Sequence, residues 1–220
     1  DQSMRSIKFQ QDIFFDFEEL TKIHSYEIGF QIKENPIPQS QGESISLSAV
    51  YQCIIEPYSN KDYPRLKVEL EKFGDYLYTN NVTAENVEEF DQLQFGELLI
   101  ELSEGINPEI SQNAFHIITL LQSKGPAYPA IFFSLDFLDF CVKFINKPFS
   151  AVCYYAFVAT TNISSQSENL FYNVLERIPI DSINPQRYID SNIKEAALDL
   201  ACTYVKYNVD FQIASQVIEY

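Results

Sequence analysis

Apolar residues recur along most of this chain at the three- and four-residue spacing of a helix with one buried face. The pattern is cleanest between residues 107 and 206, where three segments can be laid over one another. Each opens on a short polar residue: Asn107, Asn146 and Asp190. Each then carries the same ladder: Ala114, Ile117, Ile118 and Leu121; Cys153, Ala156, Phe157 and Thr160; Ala197, Leu200, Ala201 and Tyr204. The openings stand 39 and 44 residues apart. A unit of about 40 residues with this pattern reads as a helical repeat whose apolar face is covered only by its neighbours. The first rung is small in every copy, which lets an adjacent helix approach within the ~8–10 Å of close helix packing.

The spacing predicts a succession of helices. Leu47, Val50, Tyr51, Ile54 and Ile55 mark the first, although Ile45, Leu47 and Ala49 also alternate with serine as a strand would. Pro57 is expected to end it. Pro64 suits the first turn of the next, carried by Leu66, Leu70, Phe73 and Leu77. Thr83 is a cap for a short helix over 84–90, and Phe95, Leu98, Leu99 and Leu102 predict another over 91–103. Further helices follow over 107–122, 130–145, 147–161, 166–178, 189–207 and 211–220. From residue 107 onward they pair as antiparallel hairpins. Phe133, Phe137, Phe140, Cys141 and Phe144 share one face of the 130–145 segment.

Residues 1–42 break the pattern. Ile13, Phe14, Phe15, Phe17 and Leu20 lie among acidic residues there, as in a short amphipathic helix that caps an array, and 33–42 reads as a linker. The repeat domain is expected over 43–220. It is also expected to continue beyond Tyr220, because the stripe of Ile213, Val217 and Ile218 stops abruptly.

Charge narrows the partners. The net charge of −16, from 31 acidic and 15 basic residues, disfavours nucleic acid and anionic membrane surfaces and suits a basic protein partner. Cys53, Cys141, Cys153 and Cys202 are widely separated with no CxxC pair, so they read as reduced thiols, which points to the cytoplasm or the nucleus. No signal peptide is evident, and the most apolar stretch, 129–145, is interrupted by Asp136, Asp139 and Lys143.

Catalytic chemistry finds little support. His24 and His116 are the only histidines, and GxSxG, HExxH, P-loop and GxGxxG motifs are absent. His116 reads as a structural residue of its helix. The carboxylate groups Glu18/Glu19, Glu88/Glu89/Asp91 and Glu101/Glu104 read as solvated helix faces rather than tuned acid–base pairs. No enzyme activity, metal or cofactor is indicated.

The repeating segments resemble the armadillo-like superhelix over residues 84–220, most strongly from Asn107 onward. The resemblance rests on period, caps and apolar spacing, and HEAT-type repeats fit nearly as well. It implies an all-α, right-handed α-solenoid of stacked antiparallel hairpins with a non-catalytic protein-interaction or scaffolding role. An architectural spacer or dimerisation segment is the alternative. Armadillo proteins that carry nuclear import cargo read basic peptides with a ladder of Asn and Trp. This chain has no Trp, and Asn113 has no counterpart in register, so that mode is not expected. The resemblance also implies that the second helix of each hairpin lines the binding surface. Asp136, Asp139, Glu168 and Glu176 are then the candidate contacts for a basic partner.

Overall fold

The computed structural model describes residues 46–80, 84–105, 107–147, 151–178, 183 and 187–207, all within the unit Ser44–Tyr220. The expectations for 1–42, the Thr83 cap and the 211–220 helix lie outside the described residues. Among those residues the regular elements are ten α-helices and no strand: α1 Leu47–Ser59, α2 Tyr63–Thr79, α3 Ala84–Gln92, α4 Phe95–Glu104, α5 Pro108–Ser123, α6 Ala127–Ser134, α7 Phe137–Ile145, α8 Ala151–Ser164, α9 Glu168–Arg177 and α10 Ser191–Lys206.

Short polar side chains start these helices by accepting from otherwise unpaired N–H groups. Asn107 accepts from the Glu109 and Ile110 amides at 3.0 and 3.3 Å, with Pro108 pre-set in the first turn. Asp62 does the same for α2, Ser167 for α9 and Asp190 for α10. Asn146 departs from the expectation. It closes α7, its side-chain amide donating to Val142 O at 3.0 Å, and α8 begins only at Ala151. Pro57 also fails to stop its helix. It sits in the last turn of α1, where the chain runs on to Ser59 because the Asp62 and Asn60 amides still find Pro57 O and Glu56 O as acceptors.

The largest local surprise is that 130–145 is not one helix. The chain breaks at Leu135–Asp136, and Asp136 takes a left-handed conformation, φ 53°. Gln94 holds the same φ at the junction of α3 and α4, 42 residues earlier. Each hinge turns the next residue, Phe95 or Phe137, into full burial, and Phe90 and Phe132 are buried before it. Helix periodicity cannot register such a hinge, because the apolar spacing on both sides of it is still helical.

The helices form two layers. In one row, α2, α5, α8 and α10 pack helix against helix at every step. In the other, α1, α3–α4, α6–α7 and α9 meet their own row only sparsely. The closely packed helices α2, α5, α8 and α10 are termed the inner row, and the others the outer row. All twelve predicted ladder residues, from Ala114 to Tyr204, are buried between the layers. Rings fill the space opposite them: Phe115 meets Phe137, Phe140 and Phe144 at centroid distances of 5.4, 5.2 and 5.8 Å. Such ring pairs add roughly 0.5–1.5 kcal/mol each beyond their buried area. Cys141 and Cys153 belong to this core, whereas Cys53 and Cys202 are exposed, and all four are free thiols.

A carboxylate secures the first described end of the array. Glu89 of α3 accepts from the Ser48 hydroxyl at 2.6 Å, the Ser48 amide at 2.8 Å and the Leu47 amide at 3.2 Å. It thereby meets the positive N-terminal end of α1. The Ser48 hydroxyl, followed by these amides, holds the Glu89 carboxyl below its ordinary value.

Two outcomes follow. Ala114→Leu should overpack the buried space between the layers and lower unfolding stability by about 1–3 kcal/mol in urea titration, whereas Leu at the exposed Glu71 should change little. The Glu89 contribution is present above the unfolded-state pKa of about 4.3 and is lost as pH falls through the lower folded value. Thermal melts of Glu89→Gln should therefore lie below wild type at pH 7 and converge with it toward pH 3. A gap that is constant with pH would contradict this.

Candidate functional site

The side of the inner row that faces away from the core carries a line of aromatic side chains. Its position follows from the ladder. His116, Tyr155 and Asp199 each stand two residues after the small buried rung, Ala114, Cys153 and Ala197. Two residues rotate a helix by about 200°, so this position points away from the layer interface. Tyr78 of α2 precedes His116 by 38 residues and continues the line.

The members touch across helices. The Tyr78 and His116 rings lie 5.6 Å apart, and the Tyr78 hydroxyl shares a 3.1 Å hydrogen bond with His116 Nε2. The next contact, His116 to Tyr155, is 5.2 Å, and Tyr155 meets Tyr154 edge-on at 5.1 Å. Tyr78 is 64% exposed, while His116, Tyr154 and Tyr155 are half-buried. The face is thus an aromatic surface accessible to a ligand, spanning α2, α5 and α8.

Acidic groups bracket it. Partial burial pushes the His116 imidazole below its ordinary value, and the nearby Asp75 carboxylate opposes that shift. That shift favours the neutral form of the ring. Tyr154 is raised, first by burial and then by the fields of Tyr78, Glu195 and Asp199. The carboxylates of α10 thus act on the far end of the line as Asp75 acts on its middle. Leu198, 38% exposed, lies between Glu195 and Asp199 in sequence. Next to the line on α5, the buried side-chain nitrogen of Asn113 has no hydrogen-bond partner among the described residues. Such a donor is costly to leave unpaired.

Aromatic faces flanked by carboxylates can stack on planar or cationic side chains. His116 contacts the phenols of Tyr78 and Tyr155 here. Among the described residues, no group of three or more His, Cys, Asp or Glu side chains is arranged to hold a metal ion, and no helix is long and apolar enough to cross a membrane.

The four acidic residues singled out by sequence are all exposed, and all lie in the outer row. Asp136 forms the hinge before α7. Asp139 accepts an ion pair from Arg177 of α9 at 3.1 Å. Glu168 opens α9 and Glu176 lies in its last turn. None is joined to the aromatic line. The residues that sequence reasoning passed over, Tyr78, Tyr154 and Tyr155, had a signal in the repeat register. The position two beyond each small rung is polar or aromatic in all three copies.

No protein-family model matches the sequence, and no curated protein is detectably similar to it. Solved structures are similar in shape. A designed armadillo repeat protein in complex with the peptide (KR)4 superposes with a TM-score of 0.62 at 16% identity, covering 80% of this chain and 70% of that one. A computationally designed armadillo repeat protein for modular peptide recognition gives 0.61 at 15% identity, covering 79% and 70%. A further designed armadillo repeat protein gives 0.62 at 15% identity over the same shares. At these identities the likeness concerns the fold, and it identifies the chain as an armadillo-like helical-repeat solenoid.

Proposed function

We propose that the inner face of this solenoid binds an extended, basic segment of a protein partner, and that the chain acts as a non-catalytic interaction module. The observation that carries the reading is the continuous contact line Tyr78–His116–Tyr155–Tyr154 across three successive inner helices. A line that crosses helix after helix suits a ligand that is itself extended along the array. The carboxylates Asp75, Glu195 and Asp199, together with a net charge of −16, favour cationic side chains on that ligand. The peptide-bound designed relative supports the same mode of use. Its ligand is an alternating Lys–Arg peptide, and this chain offers tyrosines and a histidine on its inner helices. The outer-row set Asp136, Asp139, Glu168 and Glu176 is the competing surface for such a ligand. One of its members is already neutralised by Arg177. The acidic surface and the exposed thiols of Cys53 and Cys202 suit a reducing compartment, the cytoplasm or the nucleus.

A fluorescein-labelled (KR)4 peptide tests this by anisotropy titration. Tyr155→Ala should weaken binding by about tenfold, the loss expected of one central aromatic anchor. The pair Glu195→Gln and Asp199→Asn should flatten the salt dependence. Alanine at the four outer-row acids should leave affinity unchanged. Loss confined to the outer-row variant would move the site to that face, and absence of binding at low salt would remove the reading altogether.

A further inference from the structure

We propose that His116 is a proton-controlled gate on this face: its neutral ring admits a cationic partner, and its imidazolium expels one. The inference rests on the reading of the inner face as a site for a basic peptide, and goes beyond it by assigning a regulatory role to one residue.

The argument is geometric. His116 is the middle member of the aromatic line, in ring contact with Tyr78 on one side and Tyr155 on the other. A ligand lying along the line has to pass over it. As a neutral ring it continues the π surface of its neighbours, which attracts cations. Once protonated it places a positive charge at the centre of that surface, half-buried and therefore poorly screened. Protonation also changes its bond to Tyr78. Both ring nitrogens then donate, so Nε2 donates to the Tyr78 oxygen and the phenol proton points elsewhere.

The groups facing the ring do not cancel this effect. From α2 they are Asp75 and Tyr78, and from α8 they are Tyr155 and its neighbour Tyr154. Helix α4 meets α5 at the Ser103–Ser111 contact, and no titratable group of α4 or α6 acts on the ring among the described residues. Among the described residues, it is the Asp75 carboxylate whose field favours the imidazolium, and burial outweighs it. A basic peptide that pairs with Asp75 would weaken even that support. Bound peptide and bound proton therefore oppose each other, and by linkage each lowers the affinity for the other.

The test is anisotropy titration of the (KR)4 peptide at pH 7.5, 6.5, 5.5 and 5.0, at constant ionic strength, on the whole chain. Far-UV circular dichroism at each pH reports the helical content. Wild type should weaken by up to about tenfold per pH unit below the His116 pKa, since one proton must leave for each peptide bound. Whatever affinity His116→Gln has at pH 7.5, it should keep down to pH 5.0, where ordinary carboxylates are still largely ionised. In proton NMR, the imidazole signal that His116→Gln removes should titrate at lower pH when peptide is added. Parallel pH profiles for wild type and His116→Gln, or a titration unmoved by peptide, would overturn the gate while leaving the binding face intact. No binding at any pH would instead overturn the binding reading, and the gate with it.

Discussion

The array depends on the close packing of successive inner helices over one continuous buried ladder. Ala114, Cys153 and Ala197, fully buried between the layers, contribute almost no side-chain bulk there. That absence lets the larger rungs, Ile118, Phe157 and Tyr204, fill the space between the two layers. The outer helices are less constrained. They can break, shift and meet one another sparsely, because each is held mainly by the inner helix it packs on. Side chains bridge some of the gaps that remain: Lys143 reaches Glu104 at 3.1 Å and Arg177 reaches Asp139 at 3.1 Å. Exposed pairs of this kind are worth only about 0–1 kcal/mol each, so burial, rather than charge, sets the stacking.

The same constraint creates the aromatic face. If inner helices lie at van der Waals distance, side chains that face away from the layer interface come within ring-contact distance of their counterparts on the next helix. Tyr78, His116 and Tyr155 form a continuous line of ring contacts, and Tyr78 and His116 also share a hydrogen bond. Fold and site are two faces of one register. A change that spreads the inner helices should break the line as well as loosen the core.

Much of this was legible in the residues, and the parts that were not share a cause. The twelve ladder positions, the caps at Asn107 and Asp190, and the all-helical repeat follow from periodicity and short polar side chains, which act within one or two turns. The hinge at Asp136 does not, because the local pattern of 130–145 is helical on both sides and only packing of Phe132 and Phe137 into the core selects the break. Asn146 reads equally well as a cap for either neighbouring helix, and the end of α7 claims it. The acidic residues Asp136, Asp139, Glu168 and Glu176 could be recognised as exposed, but not assigned to a row.

What the sequence determined by itself is therefore local: which segments are helical, which stripe of each is apolar, and that the stripe repeats about every 40 residues. Those properties depend on rotation about one helix axis, which residue spacing records. What only the tertiary structure decided is which row packs closely and hence which helices form the inner face. It also decided that a histidine read as a structural filler sits between two tyrosines from other helices. These are relations between segments some 40 residues apart, and no spacing within one segment encodes the distance between two.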